Sequence, residues 1–210
     1  MEIKPIKIPR SKRLFDIVVA GLFFLLALPF NFFILIWILI EQALVPASRG
    51  TLFYSELRIS QGRPFKFYKW RIFKAGAIAE AAKKGVVHTA ELQRDKNNFT
   101  YYGKFLQKIY MDELPQLWNI IKGDMTLVGP RPTNLENSEK YKNAGDYTRE
   151  ILVCGLTGPY QAEKGHGFDQ NVLDKKYLEY ITSNPWWKIL GNDIRILAKT
   201  VKIIFEAKGI

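Results

Sequence analysis

Two adjacent carboxylates, Asp112 and Glu113, and an arginine set between two prolines, Pro130-Arg131-Pro132, are the residues of this chain whose types and spacing could do chemistry. Pro115 is tolerated only in the first turn of a helix. The segment Met111-Asp112-Glu113-Leu114-Pro115 therefore predicts a helix start near Met111 or Asp112, with Leu114, Leu117, Trp118 and Ile121 on one apolar face. The carboxylates would then lie at the positive end of the helix dipole, beside free backbone N–H groups. Such a place keeps a carboxylate ionised and also attracts phosphate. The plainer reading is a helix cap, since Asp is a common N-cap and Glu a common first-turn residue. In Gly129-Pro130-Arg131-Pro132 the flanking prolines restrain the backbone and remove N–H groups, a rigid mount for a guanidinium that meets a phosphate bidentately. A proline-rich turn with a solvent-facing arginine is the alternative. Lys66, Lys69 and Arg71 crowd a third place with positive charge, and a solvated basic strand edge would look the same.

The elements that must position these groups read as follows. Residues 51–57 and 64–73 are rich in aromatic and β-branched side chains and form a strand pair turning at Gly62. Residues 75–98 are polar and helical in composition, with a break at Lys83-Lys84-Gly85; His88 there is an exposed residue without a role. Gly123 ends the helix that begins near Asp112, and Thr126-Leu127-Val128 leads into the arginine mount. Gly155-Leu156-Thr157-Gly158-Pro159 is a further turn, followed by Lys164-Gly165-His166-Gly167, where His166 either touches a substrate or is an idle loop residue. A helix is predicted over 173–180, and another from Pro185, with Asn184 as its N-cap. Over 185–207, Trp186 and Trp187 with interspersed lysines suit a helix in a membrane interface, or one packed on the domain's own core.

The 24 residues 17–40 carry no charge. As one helix they would reach about 36 Å, enough to cross a hydrocarbon core of about 30 Å. Lys4, Lys7, Arg10, Lys12 and Arg13 precede them and favour a cytoplasmic N-terminus. Pro29 at the centre removes an N–H and clashes with the Leu25 carbonyl, and Asn31 is the one amide at hand to satisfy the broken backbone. A kinked span is the default; a re-entrant helix–break–helix is the second reading. A signal peptide, with Val45-Pro46-Ala47 as a cleavage site, is a weaker third, because the apolar stretch is too long.

Composition narrows the class. The 210 residues suffice for one domain and an appendage, and 48% hydrophobic with 24% charged excludes wholesale disorder. The net charge of +11 calls for an anionic partner: nucleic acid, a membrane surface or a phosphorylated substrate. A single cysteine, Cys154, rules out an intramolecular disulfide framework and a cysteine-based zinc cluster, and two histidines argue against a histidine-rich metal site.

Several of these segments together resemble the bacterial sugar transferase family, the monotopic polyprenyl-phosphate phosphoglycosyl transferases in their minimal form. They are Lys12-Arg13-Leu14-Phe15-Asp16, Phe65-Lys66-Phe67-Tyr68-Lys69-Trp70-Arg71, Met111-Asp112-Glu113-Leu114-Pro115-Gln116-Leu117 and the run from Lys122 to Pro132. Gly155-Leu156-Thr157-Gly158 and Leu173-Asp174-x-x-Tyr177 also fit. The resemblance implies an α+β protein: residues 1–45 a basic flank and re-entrant membrane helix broken at Pro29, and 46–210 a small cytoplasm-facing catalytic domain with interfacial helices. It implies that Asp112 is the nucleophile on the β-phosphate of a nucleotide diphospho-sugar, assisted by Glu113, with Mg²⁺ held by this pair. Lys69, Arg71, Lys108 and Arg131 would hold phosphates. A UDP-sugar would donate, polyprenyl phosphate would accept, and UMP would leave, at the bacterial inner membrane in glycoconjugate synthesis. Membrane lipid is a partner, nucleic acid is not, and a homodimer is left open.

The pattern departs from the family in three places. Leu28 stands where the family has Ser before the proline, and Gln107 and Tyr110 stand where it often has Arg and Ser ahead of the nucleophile. Lys108 keeps one charge there. The competing function class is a non-enzymatic basic adaptor that binds anionic lipid or nucleic acid and has no use for Asp112 or Glu113.

Overall fold

A computed structural model describes residues 4–83 and 89–206. His88, the expected break at Gly85 and the last residue of the predicted C-terminal helix lie outside them. The elements in order are helix α1 (Arg10–Leu44), strands β1 (Phe53–Ser60) and β2 (Arg63–Trp70), and helices α2 (Ala75–Lys83), α3 (Thr89–Leu92), α4 (Tyr101–Lys108) and α5 (Gln116–Lys122). Strand β3 (Thr126–Val128), helices α6 (Leu135–Asn143) and α7 (Thr148–Ile151), strand β4 (Gly155–Thr157) and helices α8 (Gln170–Ser183) and α9 (Trp186–Phe205) complete them.

The charge-free stretch forms most of α1, a helix of 35 residues that runs through Pro29. The helix continues past the proline, as the kinked-helix reading expected, and the backbone at Pro29 stays helical. Proline leaves the Leu25 carbonyl without its helical donor; Asn31 Nδ2 donates not there but to Ala27 O, two residues on, at 3.0 Å. The helix buries two narrow stripes. Lys12, Asp16 and Ala20 recur every four residues on one of them, and Ile34, Ile38 and Glu41 make up the other. Between and around these stripes Leu22, Phe23, Leu25, Leu26, Phe32 and Phe33 stand exposed. Apolar exposure on this scale marks a surface meant for lipid or for another apolar partner.

Two compact units divide the chain: one of Met1–Phe23, Glu56–Phe67 and Gln116–Ile210, the other of Phe24–Ser55 and Tyr68–Pro115. The strand pair turns through Gln61 and Gly62, both at positive φ (50° and 70°), the type I′ geometry that suits the twist of a two-residue hairpin.

In the first unit β3 and β4 pair in parallel, Thr126 opposite Gly155 and Val128 opposite Thr157. Every residue of β3 is buried. The start of α1 is fastened to this unit by charge. Lys12 Nζ meets Asp193 Oδ2 of α9 at 2.5 Å and the Val128 carbonyl at 3.3 Å, while Asp16 Oδ2 accepts from Thr126 Oγ1 at 2.5 Å. Tyr177 donates to the other Asp193 oxygen at 2.7 Å. Arg13 donates to the Ile120 and Ile121 carbonyls at the end of α5 (2.6 and 2.8 Å), where a cation also meets the negative end of the helix dipole.

In the second unit Ile34 and Ile38 of α1 pack with Trp70, Ile72, Phe73, Phe99, Tyr102 and Leu106. Trp70 Nε1 also donates to Asn31 Oδ1 at 3.1 Å, so the amide bonded to Ala27 O is itself held from β2.

Three sequence expectations move. The acidic pair does not open α5; it forms its own short turn, Met111–Glu113, and the helix proper begins at Gln116 after Pro115. The inward face of α5 is Gln116, Leu117, Asn119 and Ile120, with Trp118 half-exposed. Asn119 turns inward because its Nδ2 donates to the Lys66 carbonyl at 2.7 Å. Pro185, not Asn184, caps α9, because the Asn184 side chain closes α8 by donating to Tyr180 O at 3.0 Å.

Because Lys12 and Asp193 are both fully buried, removing one partner strands a charge. Asp193→Ala should cost about 3–5 kcal/mol of stability, read by chemical denaturation in detergent. Replacing Lys12 and Asp193 together with leucine should cost less than Asp193→Ala alone.

Candidate active site

The acidic pair is positioned from α4. That helix is capped twice at its N-terminus: Thr100 Oγ1 accepts from the Gly103 amide at 3.0 Å, and Glu41 reaches in from the last turns of α1. Glu41 Oε1 and Oε2 accept the Tyr101 and Tyr102 amides at 2.9 and 2.8 Å, and Ser48 Oγ donates to Oε1 at 2.6 Å. A carboxylate against a helix N-terminus satisfies two orphan amides and meets the positive end of the dipole. Glu41 was not singled out in the sequence; the signal for it was its position as the first charge after a 24-residue apolar run.

After α4 the chain reverses at Tyr110, which adopts the left-handed conformation (φ 58°, ψ 17°). A bulky residue seldom sits there, and the surroundings must hold it. Met111 and Leu114 flank the carboxylates and pack on the apolar core of this unit, and so draw Asp112 down to 4% exposure.

Lys69 of β2 spans the pair. Its Nζ lies 2.7 Å from Glu113 Oε1 and 3.5 Å from Asp112 Oδ2. Burial pushes the Asp112 carboxyl up to about 6; Lys69 pulls it back down and Glu113 adds to the rise. A carboxylate that is poorly solvated and held by one ammonium is a better nucleophile than one in water, provided it is ionised.

Lys69, Asp112 and Glu113 are thus brought together as the sequence suggested, with Pro29 and Asn31 in the same unit. Arg71 has another task. It is 1% exposed and spends its guanidinium on three backbone carbonyls: Thr51, Phe73 and Ser48, each at 2.6 Å. Buried carbonyls that lack strand partners need donors, and the planar fork of Arg71 serves three at once. The expected phosphate contact at Arg71 is therefore corrected to a brace for the chain leaving α1. Lys108 is exposed in the last turn of α4. Arg131 belongs to the other unit, half-buried on the segment after β3. His166, also there, is exposed, with its ring 3.2 Å from the Glu163 carbonyl.

Among the described residues no group of three or more His, Cys, Asp or Glu side chains is gathered for a metal. Two adjacent carboxylates nonetheless fit Mg²⁺, which is commonly held by one or two carboxylates together with substrate phosphates. Asp112 and Glu113 are the residues that would hold it.

In metal-free protein, Asp112 should titrate well above the usual carboxylate range, near 6. Removing the lowering influence with Lys69→Met should raise that midpoint further. The pH dependence of carbodiimide labelling at Asp112, read by peptide mass, measures both.

The bacterial sugar transferase family model matches residues 8–207. Among curated relatives, the chain is 34% identical over 180 residues to the galactosyl transferase CpsE of Streptococcus agalactiae serotype III, covering 79% of this chain and 38% of that protein. It is 32% identical over 207 residues to the undecaprenyl-phosphate galactose phosphotransferase of Salmonella typhimurium (94% and 41%). It is also 32% identical over 198 residues to the UDP-glucose:undecaprenyl-phosphate glucose-1-phosphate transferase of Klebsiella pneumoniae (90% and 39%). The chain spans about 40% of the length of these relatives. With the family's model covering nearly all of it, the chain belongs to the bacterial sugar transferase family.

Proposed function

We propose that this protein transfers a sugar-1-phosphate from a UDP-sugar to a polyprenyl phosphate at a membrane surface, with Asp112 as the nucleophile. The observation that carries the reading is the Asp112–Glu113 pair, with Asp112 buried and both clamped by Lys69 in the same compact unit as the exposed apolar half of α1. A water-soluble donor and a lipid-borne acceptor both need a reactive group at such a boundary. In the first step an Asp112 oxygen attacks the β-phosphorus, the bond from that phosphorus to the bridging oxygen breaks, and UMP departs with the electron pair. In the second step a polyprenyl phosphate oxygen attacks the aspartyl phosphate, the bond to Asp112 breaks, and the carboxylate returns with polyprenyl-diphospho-sugar released. Two steps let two bulky substrates use one nucleophile in turn.

Phosphoryl transfer asks little of a protein beyond position and charge neutralisation. Mg²⁺ on Asp112 and Glu113 would neutralise phosphate charge. Lys69 orients the carboxylates and adds a positive charge. Arg131 and Lys108 supply further cations for phosphate.

For the membrane helix we propose a re-entrant course bent at Pro29, with both ends on the cytoplasmic face. Its start is tied to Ile120, Ile121, Thr126, Val128 and Asp193, and Glu41 near its end is tied to Tyr101 and Tyr102. Among the described residues α1 is the one helix long and apolar enough to cross a bilayer. Folded segments that hold both ends of the helix support this course.

Purified protein with UDP-sugars, polyprenyl phosphate and Mg²⁺ should release UMP, and Asp112→Asn should lower the rate by at least about 10⁴-fold. Full activity in that variant would remove Asp112 from its role, and lipid binding indifferent to both carboxylates would favour a basic adaptor. Cysteines introduced before Lys12 and after Ala47 should be labelled from the same side by an impermeant reagent, and the native Cys154, which is buried, should not compete. Labelling from opposite sides would mean a crossing helix.

A further inference from the structure

The arginine mount is held by more than its prolines. Four consecutive carbonyls are each fastened by a donor: Pro130 O by the Gly155 amide (2.9 Å), Arg131 O by Arg149 Nε (3.0 Å), Pro132 O by Arg58 Nη1 (2.7 Å) and Thr133 O by the Ile59 amide (2.8 Å). Pro130 and Pro132 have no N–H, so this segment cannot pair as a strand through its own donors. With two φ angles set by the proline rings, the orientation of the peptide planes is the freedom that remains, and the four carbonyl bonds remove it.

Two of those four donors are side chains held in place themselves. Arg149 is 2% exposed; its Nη2 meets Asp174 Oδ2 at 2.8 Å, its Nη1 stands 3.8 Å from Asp146 Oδ2, and its guanidinium lies 4.4 Å from the centre of the Tyr141 ring. Arg58 is gripped by the Glu56 carboxylate and lies 4.8 Å over the Phe67 ring. A cation this deep costs desolvation unless it is well paired. Here the pairing leaves one edge of each guanidinium aimed at a carbonyl beside Arg131.

We infer that Arg149 and Arg58 are positioning residues for Arg131, fixing the backbone from which its guanidinium is presented to substrate phosphate. Asp174, which the proposed chemistry leaves unused, orients Arg149. The inference rests on the reading of Arg131 as a phosphate contact. It differs from a purely structural role in one respect: the two arginines act on the reaction through Arg131.

The test uses the full chain in lipid nanodiscs, with Arg149→Met, Arg58→Met, Arg131→Met and the two double variants that pair Arg131→Met with each. Hydrogen exchange at the Gly155 and Ile59 amides, which donate to the Pro130 and Thr133 carbonyls, should speed up about tenfold or more in Arg149→Met and in Arg58→Met. With UDP-glucose and UDP-galactose as donors, each should raise KM about tenfold with a smaller change in kcat. Each double variant should be no worse than Arg131→Met alone, because the positioning residue has nothing left to position. Arg149→Lys, which keeps a donor and a charge for Asp174, should restore part of the KM. Unchanged exchange, or losses that multiply with that of Arg131→Met, overturns the inference. If Arg149→Met fails to fold, the partly exposed Arg58 decides by the same cycle. An Arg131→Met protein with normal KM would instead sink the reading of Arg131 as a phosphate contact. No UMP release by the unmodified protein would sink the proposed activity. In both cases exchange still reports whether the two guanidiniums hold the loop.

Discussion

A helix that exposes apolar surface over most of its length can belong to a defined structure only if something other than the hydrophobic effect holds its ends. Here that something is buried charge. Lys12 and Asp16 near its start, and Glu41 near its end, each find partners deep in a folded unit. Lipid gives an apolar helix no preferred rotation, whereas a buried carboxylate that must meet two amides tolerates very little. The same Glu41 that ends the apolar helix caps α4, and α4 delivers the turn carrying Asp112 and Glu113. The end of the apolar helix and the helix that leads to the acidic turn thus share one set of hydrogen bonds.

Strand β2 and the residue after it show how neighbouring positions divide the labour. Lys69 meets the acidic pair, Trp70 holds the Asn31 amide near the proline of α1, and Arg71 braces three carbonyls of the chain around it. Successive side chains on an extended strand point to opposite sides, so one short run of sequence serves an acidic turn, an apolar helix and a loop. From composition alone the three read as a cluster of basic and aromatic residues, and the family resemblance implied a shared phosphate role for the two cations. Depth separates them: the ammonium sits at the edge of the carboxylates, and the guanidinium sits inside.

The glycines and prolines around Arg131 follow the same logic at the backbone level. A Cβ on Gly155 would lie 2.2 Å from the Gly129 nitrogen, and one on Gly129 would lie 2.5 Å from the Val153 carbonyl. The two glycine-bearing motifs therefore interlock where no side chain fits, which brings the Gly155 amide onto the Pro130 carbonyl. Leu173-Asp174-x-x-Tyr177 belongs to this frame as well, with Asp174 on Arg149 and Tyr177 on Asp193 and the Val128 carbonyl.

Local chemistry made much of this legible in one dimension. A 24-residue charge-free run, a proline at its middle with an amide two residues on, an Asp-Glu pair before a proline, and an arginine between two prolines are all properties of adjacent residues. They determined the long apolar helix, the candidate nucleophile and the rigid mount. The hairpin, the helix end at Gly123 and the C-terminal helices followed from short-range propensity, with shifts of a residue or a few at their ends. What only the tertiary structure decided is how deep each charge lies and which groups it meets. Arg71 and Arg131 have the same side chain and were given the same phosphate role; one is buried on three carbonyls and the other stands half-buried on its mount. Arg58 and Arg149 carry no local mark of these roles, and Glu41 only its place after the apolar run, because the backbone groups they hold lie 74, 18 and 60 residues away. The work of a charged side chain is set by the carbonyls, amides and counter-charges that folding brings to it, and by how far folding takes it from water.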